Sequence, residues 1–132
     1  MKLYLASFLE PENFGPGRVI GIVNGDKPNH IKCDSQFKQL TPDKELTETY
    51  TEMVKAGDNN AGKQFVTNFT AQLDAFAKDV IKVADKEGKT VQDLLPFKDG
   101  DTLASWEREY FTNYRSLITP FLKKLGYEVV SR

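Results

Sequence analysis

Apolar and polar positions alternate and cluster along this chain in ways that predict an α/β order. Lys2–Leu9 (KLYLASFL) puts Leu3, Leu5 and Leu9 on one face and Tyr4, Ala6 and Phe8 on the other. A strand apolar on both faces is sandwiched between layers, as in a mostly parallel sheet. Glu10–Gly17 holds two prolines and two glycines and reads as a loop. Arg18–Val23 (RVIGIV) is a second β-branched run, closed by Asn24-Gly25. Asp26–Leu40 is irregular and reads as a long surface connection.

Helical spacing follows. Thr41-Pro42-Asp43 offers a capping hydroxyl, a proline for the first turn and an acid facing the helix dipole, predicting a helix to about Ala56. Gly57-Asp58-Asn59-Asn60 stops it. Phe65, Phe69, Leu73, Phe76, Val80 and Val83 then lay one stripe down a second helix, with Lys82 and Lys86 near its end and Gly88 beyond. Thr90–Phe97 (TVQDLLPF) reads as a third strand that Pro96 confines to an edge or an end. Lys98–Thr102 reads as a turn. Asp101 or Thr102 caps a third helix with the stripe Leu103, Trp106, Tyr110, Tyr114, Leu117, Phe121 and Leu125, in which Pro120 marks a kink or a fresh start. Gly126 ends it, and Tyr127–Val130 (YEVV) is a last short strand.

The order β-β-α-α-β-α-β predicts one α/β domain, residues 1–132: a three-layer sandwich with a small, mostly parallel sheet of about four strands and three main helices. Ligands of open parallel sheets sit beyond the carboxyl ends of the strands. On this reading two loops meet there, Glu10–Arg18 and Lys98–Trp106.

Composition narrows the classes without choosing a function. The 132 residues carry 18 Lys plus Arg against 19 Asp plus Glu, and this near-neutral balance argues against a dedicated nucleic-acid binder. No apolar run reaches the roughly 18 residues of a membrane span, and Met1–Leu9 lacks the shape of a secretory signal. One cysteine, Cys33, leaves no internal disulfide and fits a reducing cytoplasm.

Several stretches of the chain together resemble the uncharacterised family known as domain of unknown function 488. They are KLYLASF, VIGIVNGDKP, LTPDKELTETY, QFVTNFTAQLDAF, LLPFKDGD and NYRSLITPFLKKLGYEV. The resemblance spans most of the chain and implies a three-layer α/β fold with a site near the strand preceding the last helix. That strand typically reads LLC in the family, and a Cys-His-Arg triplet opens the helix. Here the compared strand is Leu94-Leu95-Pro96 and the triplet position reads Asn113-Tyr114-Arg115, so only Arg115 matches. About ten extra residues, Leu103–Thr112, intervene. The resemblance therefore implies anion binding through an arginine more than the family's thiol or imidazole chemistry.

Candidate chemistry is set by residue type and place. In Asn13–Arg18 the glycines permit close backbone approach, Arg18 can clamp a phosphate or carboxylate with two parallel hydrogen bonds, and Phe14 can stack on a base. The competing reading is a tight turn with a solvated arginine. A helix opening at Thr102 would present free N–H groups to an anion, although Asp99 and Asp101 oppose one and serve equally well as caps. Arg108 and Arg115 stand two helical turns apart, as a cationic pair or as part of a solvated face. Trp106, Tyr110 and Tyr114 fit a stacking platform, a core stripe or a subunit interface. His30 and Cys33 lack the further ligands a zinc site needs, so no metal or cofactor is expected.

The function expected is binding of a small anionic ligand, a nucleotide or phosphorylated metabolite, by Ser7, Phe14, Arg18, Asp99, Thr102, Trp106, Arg108 and Arg115, with no catalytic residue assigned. One alternative is a regulatory or inhibitory module that docks on a protein partner, or on a second copy, through its aromatic C-terminal helix. The other is a nucleotide-processing hydrolase or transferase.

Overall fold

The computed structural model describes residues 1–23, 25–106 and 114–132. Five strands form one parallel sheet: β1 (Lys2–Ser7), β2 (Val19–Gly21), β3 (Ser35–Gln36), β4 (Thr102–Ser105) and β5 (Glu128–Ser131), in the order β3-β2-β4-β1-β5. The helices are α1 (Lys44–Lys55), α2 (Ala61–Glu87), the single turn α3 (Val91–Leu94) and α4 (Tyr114–Lys124). The fold is an α/β sandwich.

Strand alternation divides the core in two. Leu3 and Leu5 of β1, Ile20 of β2 and Leu103 of β4 point to one face. There they meet Phe65, Phe69, Leu73 and Ala77 of α2 and Ile118, Phe121 and Leu122 of α4. Ala6, Val19 and Ala104 point the other way, where Phe8, Phe14, Val23 and Cys33 cover them. The outer layers are thus helices on one side and loops on the other. The stripe expected on α2 is present: Phe65, Phe69 and Leu73 are buried, whereas Val83, near the end of the helix, is exposed. Gly88 closes α2 with φ +66°, a conformation in which a side chain is strained.

Chain direction follows from these layers. β1 to β2 to β3 steps one way across the sheet over the loop face, and β3 to β4 to β5 returns over the helix face. Reversing both direction and face keeps every crossover of one hand, as twisted parallel sheets require. β1 and β4 are neighbours whose outgoing connections diverge to opposite faces.

Two elements differ from the sequence reading. Thr90–Phe97 is not a strand. Thr90 and Asp93 form a reciprocal cap: the Thr90 hydroxyl accepts from the Asp93 N–H (3.2 Å), and the Asp93 carboxylate accepts from the Thr90 N–H (3.1 Å). This box starts a helical turn, and hydrogen bonding from the Thr90 N–H, then from its hydroxyl, holds the Asp93 carboxyl below the usual aspartate range. The second correction is larger. Thr102–Ser105 is a fully buried inner strand between β1 and β2, not the start of a helix. Its polar ends mimic a cap in sequence, but four consecutive buried residues demand the paired backbone an inner strand supplies. The strand preceding the last helix is therefore 102–105 and not 94–96. Pro120 lies inside α4, and no second helix begins there. The irregular stretch before Leu40 also contains the two-residue edge strand β3.

Candidate functional site

In a parallel sheet every crossover begins at the carboxyl edge and ends at the amino edge, and this sorts the expected residues into two groups. Arg18, Asp99 and Thr102 precede or open their strands and lie at the amino edge. There Arg18 donates to both oxygens of Asp101 (Nε 3.1 Å, Nη2 2.6 Å) and to the Pro96 carbonyl (2.9 Å). The Asp101 side chain is 4% exposed and also accepts from the Lys98 N–H at 2.8 Å. Bonding to Asp101 raises the Arg18 pKa. Asp99 accepts from the Lys2 N–H at 2.7 Å, and the Thr102 hydroxyl donates to the Phe14 carbonyl at 3.1 Å. These groups already tie the sheet edge together. Because 102–105 is a strand, no helix N-terminus stands behind Thr102.

Phe14 is buried, its ring edge-on to Phe8 at 5.8 Å, so it offers no face for stacking. Ser7, Trp106 and the backbone of Arg115 belong to the opposite, carboxyl edge, since α4 descends from that edge to reach β5. Arg108 lies outside the described residues. The structure therefore does not unite the eight expected residues in one pocket.

It does assemble a different arrangement. Leu5-Ala6-Ser7 of β1 and Leu103-Ala104-Ser105 of β4 are identical tripeptides paired in register, so Ser7 stands beside Ser105. Both serines are 2% exposed. Alternation sends their side chains, after Leu5 and Leu103, to the helix face. The Ser7 hydroxyl accepts from the Leu9 N–H at 3.1 Å, whereas the Ser105 hydroxyl has no hydrogen-bond partner among the described residues. A buried hydroxyl left unbonded costs about 1–3 kcal/mol, which is why native interiors pair nearly all of them. Each tripeptide is followed by an aromatic, Phe8 and Trp106, whose rings meet at 5.1 Å; Trp106 stays 44% exposed.

Ser105 escaped the sequence reading because Thr102–Trp106 looked helical. The repeated Leu-Ala-Ser-aromatic string was the signal that marks it. The point between β1 and β4 is the switch point where outgoing connections part, the place where open α/β sheets form their ligand crevice. No group of His, Cys, Asp and Glu able to hold a metal occurs among the described residues, nor does a helix long and apolar enough to cross a membrane.

No family model, curated protein or solved structure matches the chain.

Proposed function

We propose that this protein binds a small anionic ligand, a nucleotide or phosphorylated metabolite, at the carboxyl edge of the sheet between β1 and β4. The observation that carries the reading is the buried Ser105 hydroxyl, unpartnered among the described residues, beside Ser7 at the switch point. A phosphate or carboxylate oxygen supplies the acceptor that a hydroxyl donor there lacks. Trp106, half-exposed and braced by Phe8, offers a planar surface for a base. Arg115, in the first turn of α4, is the cation this reading assigns to the ligand's negative charge. Arg18, Asp99, Thr102 and Phe14 are assigned to holding the fold. The single buried cysteine fits a cytoplasmic setting. Docking through an aromatic helix has less support, because Trp106 directly follows β4 and is not part of α4.

Calorimetric titration with inorganic phosphate, a sugar phosphate and nucleoside monophosphates tests the reading. Binding is expected to weaken about tenfold in Ser105→Ala, the loss of one hydrogen bond to a charged group. Trp106→Ala is expected to weaken the nucleotides and spare inorganic phosphate. Absence of heat with every compound, or an unaltered affinity in Ser105→Ala, overturns it.

A further inference from the structure

The connection from β1 to β2 lies as a strap over the loop face, and its middle is anchored from an unexpected direction. The Phe14 carbonyl accepts from the Thr102 hydroxyl and from the Arg132 guanidinium. Arg132 is stacked on the Tyr4 ring, with its guanidinium carbon 3.5 Å from the ring centroid. Its backbone N–H donates to the Leu5 carbonyl at 2.7 Å, so the β1–β5 ladder fixes where its side chain begins. Beneath it Gly15 has φ +69°, and a Cβ there would collide with the guanidinium. The strap is thus shaped to admit this one side chain.

We infer that Arg132 is a latch that holds the strap closed and, through it, positions Trp106 at the rim. The contacts are continuous: Arg132 holds the Phe14 backbone, the Phe14 ring abuts Phe8 at 5.8 Å, and Phe8 abuts Trp106 at 5.1 Å. Connections of this kind open locally at less cost than the whole fold, so one clamp at the centre changes how often the strap lifts. The stacked guanidinium adds a cation–π contact to a charge-assisted hydrogen bond. Arg132 is a positioning residue in this scheme and touches no ligand.

Two native probes report on the strap. Trp106 is the only tryptophan, and Cys33 the only cysteine. Cys33 is buried in the same cluster as Phe8 and Phe14. A point one Cβ out from Gly21 lies 2.9 Å from the Cys33 sulfur and 3.4 Å from the edge of Phe8. Burial pushes the Cys33 thiol pKa up, so the closed form reacts slowly with disulfide reagents.

The experiment measures the rate of Cys33 modification by an aromatic disulfide reagent, together with Trp106 emission, in the full chain and in Arg132→Ala and Arg132→Lys. Arg132→Ala is expected to speed modification about tenfold and red-shift the emission with the far-ultraviolet circular dichroism retained. Arg132→Lys, which keeps a charge over Tyr4 but loses the fork, is expected to recover part of both. Should Arg132→Ala fail to fold, Tyr4→Leu, which removes the ring under the guanidinium, is judged by the same measures. A modification rate within twofold of the parent and unchanged emission overturn the latch. No ligand enters this test, so its failure leaves the binding proposal standing, and failure of the titrations leaves the latch.

Discussion

Breaking the Arg18–Asp101 pair tests whether Arg18 serves the fold rather than a ligand. The two partners differ in surroundings: the Asp101 side chain is 4% exposed and that of Arg18 is 41% exposed. Arg18→Ala leaves a buried carboxylate with only the Lys98 N–H bonded to it, a loss of about 3 kcal/mol, at the low end for a broken buried pair. In Asp101→Ala the half-exposed guanidinium turns to water. That variant loses two charged hydrogen bonds and the Lys98 contact, about 2–3 kcal/mol. The double variant loses the pair once, so it should fall about 2 kcal/mol short of the summed single losses. Arg18→Lys keeps the charge without the fork and should cost about 1 kcal/mol. Urea denaturation followed by circular dichroism reads all four, with the slope checked for constancy. The coupling should persist in about 1 M salt, which screens exposed charges within about 3 Å. Single losses that add to within about 0.5 kcal/mol, or a neutral Arg18→Ala, refute this account of the amino edge.

The two site serines should behave oppositely without any ligand. Ser105→Ala removes a buried hydroxyl with no partner among the described residues and is expected to be neutral or to stabilise by up to about 1 kcal/mol, while Ser7→Ala loses the bond from Leu9 and destabilises by about 1 kcal/mol. Denaturant midpoints distinguish them. Tyr127 is a buried phenol whose pKa is pushed up to about 12 by burial, and its hydroxyl has no partner among the described residues. The folded protein keeps that proton while the unfolded chain loses it above about pH 10, so the folded protein loses on the order of 2 kcal/mol between about pH 10 and 12. Stability curves of Tyr127→Phe should lack this part of the alkaline decline.

What sequence reveals here depends on whether one side chain can carry the message. Lys2–Leu9 reads as an inner strand because both faces are apolar, and α2 announces itself through Phe65, Phe69 and Leu73 and a closing Gly88. β4 carries no such message. Thr102 and Ser105 are buried only because β1 and β2 flank them, a fact of pairing across some hundred residues that local pattern does not contain. Thr90 and Asp93 have the spacing of a reciprocal cap, but the apolar residues Leu94, Leu95 and Phe97 that follow read as a strand. That one exchange of helix for strand moved the expected site. With 102–105 a strand, Lys98–Asp101 is a loop entering the sheet and Thr102 lies at the amino edge, while Arg18 lies there because it closes the loop into β2 and not the one leaving β1.

The repeated Leu-Ala-Ser-aromatic string shows how one short pattern meets three demands when two copies pair in parallel. The leucines need bulk, because they face the side chains of α2 and α4. The alanines need smallness, because Phe14 and the strap lie against that face. At the third position Ser7 bonds the Leu9 N–H, whereas at Ser105 alanine would fill the space without a hydroxyl left unbonded among the described residues. Retaining a polar atom there carries a stability cost that the fold does not recover from any described residue. A cost of that kind, located where the connections of a parallel sheet diverge, is what the proposed binding at this edge would offset.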